Sequence, residues 1–136
     1  MNCLKGNITH IESIEHLSLV RIQVGSVEFK SIVIDTPDSV DYLSVNRAVD
    51  VLFKESETVL ARNLKGDISM QNRIEGKVIA IEKGQILSNI HIECEGTRIS
   101  SMITSLSVER MGITIGVGVT ALIKTNEIVL APAHGS

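Results

Sequence analysis

The chain has no tryptophan, one tyrosine and two phenylalanines among its 136 residues. A core without aromatic bulk must be filled by Ile, Val and Leu, and a surplus of β-branched aliphatics favours strands. The same shortage removes the stacking platforms that a single-strand nucleic-acid groove uses. Phe29, Tyr42 and Phe53 are scattered, and a net charge of −3 supplies no basic field. A nucleic-acid-binding module is therefore disfavoured. Cysteine is sparse too. Cys3 and Cys94 lie far apart, with no CxxC or Cys/His ligand spacing, and are expected as separate thiols in a reducing compartment. His10, His16, His91 and His134 show no metal-ligand spacing, and the chain contains neither GxSxG nor a P-loop. No catalytic residue and no direct metal ligand is expected, and His10 and His91, which fall in strand patterns, are read as surface or interface residues. No apolar run approaches the roughly 20 residues that cross a bilayer, and no leader-like stretch opens the chain. The expected location is cytoplasmic, without membrane insertion.

What is present is a repeat. The stretch NCLKGNI at 2–8 is answered by NRIEGKV at 72–78. Shifting the chain by 70 residues without gaps gives fifteen identities over 2–61 against 72–131, among them Asn2/Asn72, Gly6/Gly76, Ser31/Ser101 and Lys54/Lys124. Many other pairs exchange one aliphatic for another, as in Ile8/Val78 and Val20/Ile90. In the second copy, alternation marks strands near 73–82, 87–94, 97–104, 119–125 and 127–130, with EKGQ (82–85) and CEGT (94–97) as turns. TSLSVERMG (104–112) reads as one short helix, with a Ser/Thr cap, a Leu106/Met111 apolar pair and a closing Gly112. The first copy has DTPDSVDYL at the same place, with Pro37 suited to a first helical turn. The expected fold is all-β: two tandem OB-type five-stranded β-barrels, each with one short helix. The units are expected at 1–62 and 71–136, joined by a segment at 63–70. Each is marginal as a lone core, so pairing within and between chains is expected.

ISMQNRIEGKVIAIEKG (68–84), ITSLSVERMGI (103–113) and ALIKTNEIVL (121–130) together resemble the molbindin, or Mop/TOBE, family of molybdate- and tungstate-binding OB domains. That family's signature opens with Ser-Ala-Arg-Asn before a glycine-containing strand. It continues through an Ile-Thr/Ser segment into a short helix ending Leu-Gly, and closes on an Ile-Lys-Ala/Ser strand. The likeness covers nearly all of the second copy and, through the repeat, more faintly the first. It implies molybdate or tungstate as ligand, no further cofactor, and a homo-oligomer (a trimer or dimer of two-unit chains) with the anion held at interfaces. It also implies a role in storage, homeostasis or sensing, or as the regulatory pair of a molybdate transporter or transcription factor.

The chemistry suits those residues. A tetrahedral dianion accepts hydrogen bonds only, so its site needs fixed donors with some positive charge. The resemblance places Ser69, Gln71, Asn72, Thr104, Ser105, Ser107, Arg110, Lys124 and Thr125 in such a set, with Lys54 as the first copy's remnant. Gln71 stands where the signature has arginine, so one charged donor is replaced by a neutral amide. In the first copy Thr104, Ser107 and Arg110 become Ile34, Pro37 and Val40, while Asp35 and Asp38 bring like charge. Both copies are expected to keep the barrel and one to keep the donor set.

Overall fold

The computed structural model describes residues 1–133; His134 and the last two residues of the second unit lie outside the described residues. The first repeat forms β1 (Asn2–Ile14), β2 (Leu17–Val24), β3 (Val27–Val33), β4 (Ala48–Phe53), a 3-10 turn η1 (Glu55–Glu57) and β5 (Val59–Ala61). The second forms β6 (Asn72–Lys83), β7 (Leu87–Cys94), β8 (Thr97–Thr104), α1 (Ser105–Met111), β9 (Gly118–Ile123), η2 (Thr125–Glu127) and β10 (Val129–Pro132). All pairings are antiparallel, and two five-stranded sheets result, as expected.

The last strand of each repeat does not stay with its own repeat. The sheet orders are β10-β4-β1-β2-β3 and β5-β9-β6-β7-β8. Thus Val129–Pro132 pairs with β4, and Val59–Ala61 pairs with β9. Strand pairing crosses the boundaries drawn from the sequence at 62 and 71. The repeats are units of sequence, whereas each sheet is built from both.

The exchanged strands are held by side chains that the repeat had singled out. The Asn72 amide accepts from the Lys30 backbone N–H at 2.7 Å and donates to the Lys30 carbonyl at 2.8 Å. Asn2 does the same to Ser100, at 2.8 Å in both directions. Ser31 Oγ donates to the Ile128 carbonyl at 3.0 Å, and Ser101 Oγ to that of Thr58 at 2.6 Å. Lys30 and Ser100 are related by the 70-residue shift, as are Ile128 and Thr58, so an approximate two-fold relates the halves. Each asparagine acts as a one-residue ladder against the free edge of β3 or β8, a use that leaves no polar atom of the amide unsatisfied. Gly6 and Gly76 have a separate cause. A Cβ on Gly76 would stand 2.4 Å from the Glu93 carbonyl oxygen, and one on Gly6 2.8 Å from that of Gln23.

Both sheets bend where β1 and β6 slip register, between Ile8 and His10 and between Val78 and Ala80. The core inside is aliphatic, as the composition required. Phe29 and Phe53, with ring centroids 6.4 Å apart, fill the first half where Ile99 and Ile123 fill the second.

Three local expectations need correction. DTPDSVDYL forms turns rather than a helix. In α1 the docking side chain is Val108, 5% exposed, and Gly112 closes the helix at φ 64°. The first repeat has Asp38 and Tyr42 at those places, so it lacks both the apolar anchor and the residue that adopts a left-handed conformation without strain. Leu106, paired with Met111 in the sequence reading, is in fact 53% exposed. In addition, residues 125–127 leave the strand as η2.

Cys3 and Cys94 are free thiols. Burial, followed by the Glu95 and Glu93 carboxylates, pushes the Cys94 thiol from 9.0 up to about 11. The folded state therefore holds this proton more tightly than the unfolded chain. Cys94 should resist iodoacetamide at pH 8 until the protein is unfolded, and its contribution to stability should fade as the pH rises from 9 towards 11. Rapid native alkylation of Cys94 would contradict the burial. Asn72→Ala should lower unfolding free energy by about 2–4 kcal/mol, because it strands a buried backbone N–H and carbonyl. Asn2→Ala should cost a similar amount in urea denaturation; a negligible effect from both would remove the clamp from the account.

Candidate functional site

The ladder between β6 and β9 ends at the pair Asn72–Ile123. Just beyond it, Gln71 precedes β6 and Lys124 follows β9, so the two flank the same ladder end. Ser69, Gln71 and Lys124 are exposed and Thr125 is half-buried. Lys124 has an extended backbone, and its carbonyl accepts from Glu127 N–H at 3.0 Å to form η2. That turn spends the backbone of Lys124 and leaves its ammonium in solvent. Asn72 belongs here by sequence; it is buried, and its amide exchanges a pair of hydrogen bonds with the Lys30 backbone. These bonds bring β3 of the first repeat against the ladder end.

The remaining residues gather elsewhere. Thr104 Oγ1 accepts from Ser107 N–H at 3.1 Å and donates to Ser107 Oγ at 2.9 Å, capping α1. Ser105 is buried, with its hydroxyl 2.7 Å from Ser88 Oγ and 2.7 Å from the Gly84 carbonyl. Its hydrogen bonds join α1 to the β6–β7 turn. Arg110 is exposed in the last turn, where a cation suits the helix C-terminus. This second group lies beside the end of β6, since Thr104 pairs with Leu87 just after the β6–β7 turn. At about 3.3 Å per residue, the length of β6 separates it from Gln71 and Lys124 by a distance on the order of 30 Å along the strand. One chain therefore presents two donor groups, at opposite ends of one strand.

The first repeat keeps the frame with different chemistry. Lys54 ends β4 as Lys124 ends β9, with its carbonyl accepting from Glu57 N–H at 3.1 Å. The next residue, however, is Glu55 where the second repeat has Thr125. A hydrogen bond from the Met1 amino group holds the Glu55 carboxyl below its ordinary range, so it is charged at neutral pH. That carboxylate, paired with the Met1 ammonium, can only accept hydrogen bonds, so it cannot donate to an oxyanion as the Thr125 hydroxyl can. Sequence reading passed over Glu55, although its alignment with Thr125 carried the signal. His91, read as a surface or interface residue, is 8% exposed, with Nδ1 2.7 Å from Oγ of Ser100, the residue whose backbone N–H donates to Asn2 of the other repeat.

Comparison with known proteins falls on the half with the fuller donor set. The TOBE domain matches residues 68–130. The chain is 36% identical over 64 residues to molybdenum-pterin-binding protein 1 of Clostridium pasteurianum, covering 46% of this chain and 94% of that protein. The chain belongs to the molbindin family. A second relative, the molybdenum import ATP-binding protein ModC of Rhizobium etli, is 34% identical over 106 residues. That match takes in 77% of this molbindin but only 29% of ModC. The crystal structure of the cytoplasmic molybdate-binding protein ModG, with molybdate bound, superposes at a TM-score of 0.90. It covers 97% of this chain and 96% of ModG at 24% identity, which makes it a likeness of fold across both halves.

Proposed function

We propose that this molbindin binds molybdate or tungstate as a cytoplasmic protein of molybdenum storage, homeostasis or sensing, with its second repeat carrying the principal site. The observation that carries this reading is the open end of the β6–β9 ladder. Gln71, Lys124 and Thr125 flank it with amide, ammonium and hydroxyl donors on a frame fixed by Asn72, and the exposed Ser69 precedes Gln71 by two residues. These groups match what a tetrahedral oxyanion accepts, and a carboxylate replaces one of them in the first repeat. The anion is the ligand itself; the reading calls for no further cofactor, no metal bound directly to side chains and no catalytic residue.

The separation of the two donor groups supports an oligomer of two-unit chains, a trimer or a dimer, in which a neighbour's α1 end meets this chain's ladder end. Exposed Ile86, Leu87, Met102 and Leu106 around α1 give such a contact apolar surface. A regulatory role beside a molybdate transporter or regulator is the second reading. It is favoured by the ModC relative, whose likeness runs through both repeats. A pull-down with and without molybdate separates the two, because a sensor exchanges partners on loading and a store does not.

Molybdate and tungstate should raise the melting temperature well beyond sulfate at equal concentration, since a ligand selective for the folded state stabilises it by mass action. Equal shifts for all three anions would leave only non-specific charge binding. In calorimetric titration Lys124→Ala should weaken molybdate binding about tenfold or more, the loss of one charge-assisted bond, and Lys54→Ala much less. The reverse order would assign the site to the first repeat.

A further inference from the structure

We infer that Lys30, a residue of the first repeat, is the cation that completes the second repeat's oxyanion site and replaces the charge missing at Gln71. This rests on the reading of the β6–β9 ladder end as that site.

Three observations place it there. The backbone of Lys30 is gripped on both sides by the amide of Asn72, the residue next to Gln71. Its neighbour Ser31 donates to the Ile128 carbonyl at 3.0 Å. Asn72 pairs with Ile123, so these contacts bracket Lys124–Glu127 and lay β3 along η2. The Lys30 side chain is 25% exposed although it belongs to an edge strand. Its backbone is thus fixed beside the ladder end by hydrogen bonds to Asn72, which leaves the ammonium to reach the site from a strand rather than from a loop.

Charge adds a second argument. Cross-strand register puts His10 opposite Arg21 and Arg21 opposite Lys30, a row of basic residues running across the first sheet to the site. Glu28 opposes it, 3.5 Å from Lys30 Nζ; Glu12 is two residues along β1 from His10, and Glu127 sits in η2. The Glu28 pair is partly solvated and weak, so the ammonium can turn to a dianion. The pseudo-symmetric row in the second repeat is Ala80, His91 and Ser100. Where Lys124 has Lys30 across the repeat interface, Lys54 has Ser100. This asymmetry, together with Glu55, concentrates binding on one ladder end per chain.

The test is calorimetric titration of the full chain with molybdate at physiological ionic strength, comparing wild type, Lys30→Met, Lys30→Arg and Lys124→Ala. Lys30→Met keeps the buried stem and the backbone held by Asn72, and should weaken binding about tenfold, while Lys30→Arg should retain it within about threefold. Unliganded melting temperatures check that the variants fold. Binding by Lys30→Met equal to wild type, with Lys124→Ala impaired, overturns the role of Lys30 and leaves the site standing. Equal weakening by Met and Arg also overturns it, because that assigns Lys30 a packing role only. A wild type that takes up no molybdate overturns the site and this inference together.

Discussion

The structure depends on one exchange: each repeat gives its last strand to the other and binds the recipient's edge through a side-chain amide. Neither half then has a complete sheet of its own. A 65-residue barrel buries too little surface to be secure alone, and sharing strands turns two marginal cores into one cooperative body. Asn2 and Asn72 make that exchange specific. A primary amide offers a donor and an acceptor at the spacing of a peptide group, so it satisfies an edge residue as another strand would, without lengthening the sheet. Ser31 and Ser101 close the seam beside it with hydroxyls donated to the incoming chain.

That frame explains how the repeats could diverge in function while staying alike in architecture. The identities at Asn2/Asn72, Gly6/Gly76 and Ser31/Ser101 serve close approach and the interface between halves. The differences at Thr125/Glu55, Ser107/Pro37 and Ser100/Lys30 are differences of polar chemistry at the rims. Changing rim residues costs little stability, because those side chains are exposed or partly so. A site at the rim can therefore be lost from one copy while the shared body is kept.

The rim is also where the proposed oxyanion site lies. The strand ends leave backbone and side-chain donors unpaired by the ladder, and the exchanged geometry sets the first repeat's β3 beside the second repeat's η2. In the proposed site a dianion would face the hydroxyl, amide and ammonium groups of the second repeat, with Lys30 of the first repeat as the further cation inferred above. The donors of α1 lie at the other end of β6 in the same chain, so the proposed assembly would have a chemical purpose beyond covering the exposed Leu106 and Ile86.

Much of this was legible without coordinates. The shift by 70 residues, the alternation and the CEGT-type turns determined two like units of five strands, because strand periodicity and turn residues act locally. The helix at 105–111 was legible through its cap and Gly112, whereas the one read into 35–43 was not real. Pro37 is a local signal, but a helix this short needs a buried anchor, and Asp38 cannot be one. Ser69, Gln71 and Lys124 were candidates through the family resemblance, which gives their order along the chain. Which strand completes which sheet, that Asn72 is spent on Lys30, and that Ser105 is buried were settled only in three dimensions. Those facts concern partners far apart in sequence, and no local pattern encodes a contact between residues 30 and 72 or between 50 and 131. The sequence by itself determined what each half could form; the tertiary structure decided with which half it would be formed, since edge strands bond to whatever complementary edge the packed core brings near.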